Sequence, residues 1–335
     1  MTDTSNIKKS AKIVNLSFLM MTCIVWTHSR LPKWDVVPDY FHTLSIFNEI
    51  GQDAVAPFFL ITGFLFFRTF HINKYWDKLQ TRFGSLVVPY ILWNIIGWIL
   101  WFVLYMLTDN YFVNDNFSFD SVSEVISNIF LCKYTVLWYV GVIIVYAIIS
   151  PLFYYLVRDK RVAIVSIVVF FVIGSAFHHP FASPLLWMSI YMMGAFLGVH
   201  YPTFLFMCQP LSITYIALIT FPLSVWLDHQ FDCMLTVNLR TWTSTFFYIG
   251  LYDLLDKLVH LKTYRIYKYS FFLYTMHYFP LHVLQGYLII HFESELACWI
   301  AYILVPTAVV ILCVWTAYLM DIKCHKLYSL LSGDR

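Results

Sequence analysis

Histidine is the side chain that most readily exchanges a proton near neutral pH, and two histidines of this chain stand inside apolar stretches. His28 closes a run that begins at Ile13. At 1.5 Å per helical residue it lies about 22 Å along that helix, toward the outer side of a membrane. It is a candidate general base; the plainer alternative is an interfacial imidazole bound to water or to a carbonyl. His277 ends the segment Tyr269-Ser270-Phe271-Phe272-Leu273-Tyr274-Thr275-Met276-His277, and His282 follows five residues later. That spacing does not share a helix face, so a metal pair is not expected, and a buried, hydrogen-bonded His277 is. His178-His179 precede a proline in a short loop and are expected in solvent.

The cations Arg68, Lys74, Lys78 and Arg82 crowd one short connection. As a plain anchor they would bind anionic lipid heads on the cytoplasmic side. As a site they would form a mouth for a phosphate-bearing cofactor, with arginine forks on its oxygens. No G-x-S-x-G elbow, GxxxxGK[ST] loop or H-E-x-x-H occurs, so serine-hydrolase, NTPase and zinc-protease chemistry have no support. The seven cysteines are scattered and none pair at C-x-x-C spacing; neither a disulfide framework nor a metal site is expected.

The elements that must position these groups follow from composition. Of 335 residues, 60% are hydrophobic, 20% aromatic and 12% charged, with a mean hydropathy of +0.71. A soluble domain could not bury so much apolar surface. The chain reads as an all-α integral membrane protein. A net charge of +2 offers no excess of basic charge for nucleic acid. With roughly 20 apolar residues to a span, ten candidates stand out: 11–28, 53–70, 85–108, 136–157, 162–177, 184–201, 208–227, 240–256, 266–290 and 296–320. The first resembles a signal peptide but lacks an A-x-A site, and is expected to stay as an uncleaved span. With the N-terminus placed in the cytoplasm, every Lys and Arg except Arg30, Lys33, Lys133 and Arg240 falls on the inner side, as the positive-inside rule requires. Most acidic residues fall outside. Both termini are therefore expected in the cytoplasm, with residues 1–335 forming a single polytopic membrane domain. The outer connection 109–135 is acidic and carries Val122, Val125, Ile126, Ile129 and Phe130, a pattern suited to an interfacial helix. Asn116-Phe117-Ser118 matches a glycosylation sequon. No span carries Asp, Glu, Lys or Arg near its middle, which counts against an ion-coupled carrier.

Six ordered segments resemble the acyltransferase-3 family, in particular its branch of surface polysaccharide O-acyltransferases. They are the opening span ending in His28-Ser29; Val55-Ala56-Pro57-Phe58-Phe59-Leu60-Ile61-Thr62-Gly63-Phe64-Leu65; Arg82 leading to Val88-Pro89-Tyr90-Ile91-Leu92-Trp93; Leu137-Trp138-Tyr139 with Ser150-Pro151-Leu152; Gly194-Ala195-Phe196-Leu197-Gly198; and Ser270-Phe271-Phe272-Leu273-Tyr274-Thr275-Met276-His277. The basic residue that the family typically carries upstream of its functional His falls here at Ser17. Lys12 or Arg82 would then have to take its place.

The resemblance implies transfer of an acyl group, usually acetyl, from acyl-CoA to a sugar hydroxyl of a surface polysaccharide or lipid-linked glycan in a bacterial inner membrane. His28 matches the functional His. Arg68, Lys78 and Arg82 would meet the cofactor phosphates. Attack on a thioester builds an oxyanion that needs hydrogen-bond donors, for which Thr62, Tyr139, Tyr274 and backbone N–H groups are alternatives; Trp138 and His277 join them as substrate contacts. No metal is implied. Two other readings stay open: a transporter or flippase for a glycan or amphipathic intermediate, and a catalytically degenerate family member.

Overall fold

In the computed structural model, which describes residues 4–29, 48, 50–108, 121–176, 182–292 and 294–333, the regular elements are helical throughout. Lipid offers no partners to backbone N–H and C=O groups, so an apolar chain pairs them within each segment. In order, the helices are α1 (Thr4–Thr27), α2 (Ala56–Phe67), α3 (Tyr75–Arg82) and α4 (Val88–Thr108). Then come α5 (Val122–Phe130), α6 (Trp138–Ile148), α7 (Ser150–Val157) and α8 (Lys160–Ala176). They are followed by α9 (Pro184–His200), α10 (Leu211–Phe231), α11 (Met234–Val259) and α12 (Ser270–Met276). The last are α13 (Tyr278–His291), α14 (Glu295–Trp299), α15 (Val305–Lys323) and α16 (His325–Ser332). The sequon, His178-His179, Arg30 and Lys33 lie outside the described residues.

Among the described residues, four helical stretches are long and apolar enough to cross a membrane: Ile50–Phe67, Ile72–Thr108, Leu211–Phe231 and Glu295–Lys323. A fifth is formed if α6 and α7, bent by 68° at Ser150-Pro151, are taken as one span. Ala11–Thr27 and Pro184–His200 are apolar but shorter.

Prolines break elements that hydropathy reads as continuous. The expected span 266–290 is divided at His277 into α12 and α13. Pro280 has no N–H for the Met276 carbonyl, and its ring crowds that turn. Pro89 and Pro306 each follow a π-helical turn, Phe83–Val87 and Ile300–Leu304. There the N–H groups of Val88 and Val305 reach the carbonyls of Phe83 and Ile300. Such a widened turn gives the proline ring room, and π-turns of this kind often mark functional sites.

The chain forms two compact units. The first comprises residues 1–20, 53–79 and 145–267. Its core is aromatic: Phe59 stacks on Trp187 at 4.8 Å and Tyr146 lies 4.5 Å from Tyr191, centroid to centroid. Helices α2 and α9 meet backbone to backbone. A Cβ on Gly194 would run into the Leu60 carbonyl, and one on Gly63 into the Tyr191 carbonyl. Small residues permit this approach in membrane helix pairs. Two buried ionic clusters add to the packing. Lys12 Nζ donates to Asp253 Oδ2 at 2.9 Å and to Met207 O at 2.8 Å, with Asp253 Oδ1 at 2.7 Å. Arg240 Nη1 donates to Asp228 Oδ2 at 2.6 Å, and its Nε stands 3.2 Å from Asp53 Oδ2. The Thr236 hydroxyl donates to the other Asp228 oxygen at 2.8 Å.

The second unit comprises residues 21–52, 80–144 and 268–335. Trp93 Nε1 donates to Leu331 O at 2.9 Å and fastens α16 to α4. Trp101 Nε1 donates to Tyr134 O at 3.1 Å, and the Tyr90 hydroxyl to Phe130 O at 2.7 Å. These bonds hold the turn after α5 against α4. Helix α5 is capped by the Ser121 hydroxyl, which accepts from the Glu124 N–H. Its residues Val122, Ile126 and Phe130, one helical turn apart, are exposed.

Candidate functional site

His28 lies at the C-terminal end of α1, half-buried, with its backbone N–H bonded to Ile24 O at 3.3 Å. Its neighbours in the second unit are aromatic. The His277 ring is 5.3 Å away, tilted by 40°, and the Tyr278 ring meets it edge-on at 5.6 Å. The ring chain continues on both sides. Tyr278 stacks on His282 at 5.8 Å, and His282 meets Trp101 at 5.7 Å. On the other side His277 lies 6.4 Å from Tyr274, which meets Tyr139 edge-on at 6.2 Å.

Elements far apart in sequence supply these rings. Two consecutive residues, His277 and Tyr278, both reach the His28 ring. Polar contacts pin the end of α1. Thr27 donates to Asn48 O at 3.0 Å, and Tyr302 donates to Asn48 Oδ1 at 3.2 Å. Gln285 Nε2 donates to the Ser29 hydroxyl at 2.6 Å and to Ala301 O at 2.8 Å. His28 is thus held on a stretch whose neighbours on either side are tied to other elements.

His277 is fully buried. Its Nδ1 lies 2.9 Å from Tyr274 O and 3.1 Å from Leu273 O. Carbonyls only accept, so Nδ1 carries the proton and Nε2 is the acceptor of the neutral ring. Among the described residues Nε2 has no hydrogen-bond partner.

The sequence candidates therefore separate. His28, His277, Tyr274 and Tyr139 join one chain of rings in the second unit, and Trp138 is the half-buried neighbour of Tyr139 at the start of α6. The Tyr274 hydroxyl donates to Val136 O at 2.7 Å, so an oxyanion role would require that bond to be given up. Arg82 is half-buried at the end of α3. Thr62, Arg68 and Lys78 belong to the first unit. Thr62 is half-buried on α2. Arg68 is exposed, with its guanidinium 4.5 Å over the Phe206 ring. Lys78 donates to Phe66 O at 2.6 Å and to the Thr69 hydroxyl at 3.0 Å, and lies 4.6 Å over the Phe66 ring. Lys12 is bound to Asp253 and Met207 instead of standing open to a cofactor.

Tyr278, Ser29 and Gln285 escaped the sequence reading. Pro280 was the available signal for the first, since it forces a break next to His277. No signal pointed to the Ser29–Gln285 contact, which joins residues 256 positions apart. Among the described residues no cluster of three or more His, Cys, Asp or Glu could hold a metal ion.

An all-helical chain with several membrane-length apolar helices is that of a membrane protein. The chain belongs to the acyltransferase-3 family, whose acyltransferase domain matches residues 16–321. It is in general terms a membrane acyltransferase. No curated protein and no solved structure matches it.

Proposed function

We propose that this protein is an O-acyltransferase that moves an acyl group, acetyl in the first instance, from acyl-CoA to a sugar hydroxyl of a surface polysaccharide or lipid-linked glycan. The observation that carries the reading is His28: in a chain of this family, it stands half-buried against the His277 and Tyr278 rings.

In this account a nitrogen of neutral His28 takes the proton of the acceptor hydroxyl. The oxygen attacks the thioester carbonyl carbon, the C–S bond breaks, and the coenzyme A thiolate leaves with the proton returned by the imidazolium. The oxyanion formed on the way is stabilised by fixed donors, for which Thr62, Tyr139 and backbone N–H groups are suited. Trp138, Tyr139 and Tyr274 give the sugar ring aromatic faces. Arg68, Lys78 and Arg82 bind the phosphates of the donor. Stacking of Arg68 on Phe206 and of Lys78 on Phe66 supports this, since cations held in place lose less freedom on binding.

The ten-span arrangement with both termini in the cytoplasm belongs to the same proposal, as do a bacterial inner membrane and a single functional module over 1–335. It is supported by the distribution of Lys and Arg. Helix α5, with its exposed Val122, Ile126 and Phe130, lies in this arrangement on the outer interface. Acyl transfer from labelled acetyl-CoA to extracted lipid-linked glycans, by membranes carrying the intact protein or His28→Ala, tests the reading.

A further inference from the structure

We propose that His277 is the positioning residue of the transfer step: its Nε2 accepts an N–H from His28 and thereby fixes which nitrogen of His28 faces the acceptor hydroxyl. The inference rests on the reading of His28 as general base.

Three observations meet at this pair. First, the proton position of His277 is set. Its Nδ1 faces the carbonyls of Leu273 and Tyr274 on its own helix, so its lone pair is on Nε2, at the far edge of the ring. Second, that Nε2 is enclosed and without a partner among the described residues, in a residue with 0% exposure. A buried acceptor left unmade is costly, and native proteins rarely tolerate one without a purpose. Third, the neighbouring polar ring is His28, at 5.3 Å between centroids. Two imidazoles that share one N–H···N bond stand about 3 Å apart, nitrogen to nitrogen. At the separation found, no donor among the described residues reaches Nε2, and a turn of the His28 ring toward His277 would be needed to form the bond.

The consequence is chemical. A neutral imidazole has two tautomers, and only one presents a lone pair at a given nitrogen. If His28 donates to His277, its second nitrogen is the acceptor, as a base requires. Without that contact, part of the His28 population offers an N–H to the hydroxyl and cannot take its proton. Tyr278 closes another side of the His28 ring.

The test uses the full-length protein, with histidine nitrogens labelled and the His28 signals assigned by His28→Gln. His277→Gln keeps an acceptor oxygen close to the place of Nε2, and His277→Phe removes it. Two distinct nitrogen signals, one N–H and one lone-pair type, are expected for His28 in the intact protein and in His277→Gln. An averaged pair is expected in His277→Phe. In transfer assays His277→Phe should lower kcat about 100-fold, within the usual contribution of a general base, with the acceptor KM unchanged. His277→Gln should recover most of that loss. Averaged His28 signals in the intact protein, or His28 signals untouched by His277→Phe, would overturn the proposal. So would a rise in acceptor KM at constant kcat, which would make His277 a direct substrate contact. If His277→Phe does not accumulate, the intact protein and His277→Gln decide the matter by themselves. If no protein transfers the acyl group to the glycans supplied, the functional reading fails for those substrates, while the nitrogen signals still decide whether His277 orients His28.

Discussion

Lys12 aims its ammonium at three oxygens, two on Asp253 and one on Met207. The Gln209 N–H adds a further bond to the same carboxylate at 2.9 Å. A charge in this setting is structural. Removing one partner of a buried pair strands the other and typically costs about 3–5 kcal/mol. Lys12→Met and Asp253→Asn should each lower the melting temperature of the solubilised protein and leave the donor KM of the folded fraction unchanged. The double variant Lys12→Met/Asp253→Leu should recover much of the loss. A raised donor KM at an unchanged melting temperature would instead make Lys12 the replacement for the cation missing at Ser17. The sequence could not settle this, because the two residues are 241 positions apart and spacing is informative only within an element. His28 was legible for the opposite reason. An imidazole in an otherwise apolar run is conspicuous, and the residues around it match a family. Its ring partner His277 was visible as a buried histidine but not as a neighbour of His28.

At the scale of the element, α2 and α9 depend on missing side chains. Gly194 lies against the Leu60 carbonyl, and Gly198 against the Phe64 carbonyl. Gly194→Ala must push the helices apart or bend them, at about 1–3 kcal/mol for overpacking, so a thermal melt should show a clear fall in stability. A melt equal to that of the intact protein would mean that the pair separates freely. The Gly-Ala-Phe-Leu-Gly segment was visible as a motif in the sequence, although its partner helix was not. Helix positions were largely legible, because long apolar stretches admit few alternatives in lipid. Their interruptions were less so. Hydropathy is an average over many residues, and it carries straight across Pro280, Pro151 and the π-turns before Pro89 and Pro306. Each interruption coincides with a proline, so the information was local and the averaging removed it.

For the whole molecule, orientation and activity are the two claims that matter. Native cysteines report the first. Cys233, Cys208 and Cys324 are exposed and Cys132 is buried. Hydrogen bonds from the backbone and side chain of Thr236 lower the Cys233 thiol below its ordinary value, which favours the reactive thiolate. Burial pushes the Cys132 thiol up to about 11, so it stays protonated at neutral pH. In the ten-span arrangement an impermeant maleimide added to intact cells should label Cys233, and Cys208 and Cys324 only after the membrane is opened. Cys132 should stay silent in both. Labelling of Cys208 or Cys324 in sealed cells would refute the arrangement. The charge asymmetry that supports it was fully legible in the sequence, since it depends on counting and not on packing. The chemistry of His28 is decided by acyl transfer in membranes with matched amounts of intact protein and His28→Ala. With labelled acetyl-CoA and extracted lipid-linked glycans, the account predicts alkali-labile label on sugar with the intact protein. His28→Ala should reduce it by about 10²- to 10⁴-fold, the usual contribution of a general base. Equal label with both proteins would remove His28 from the chemistry.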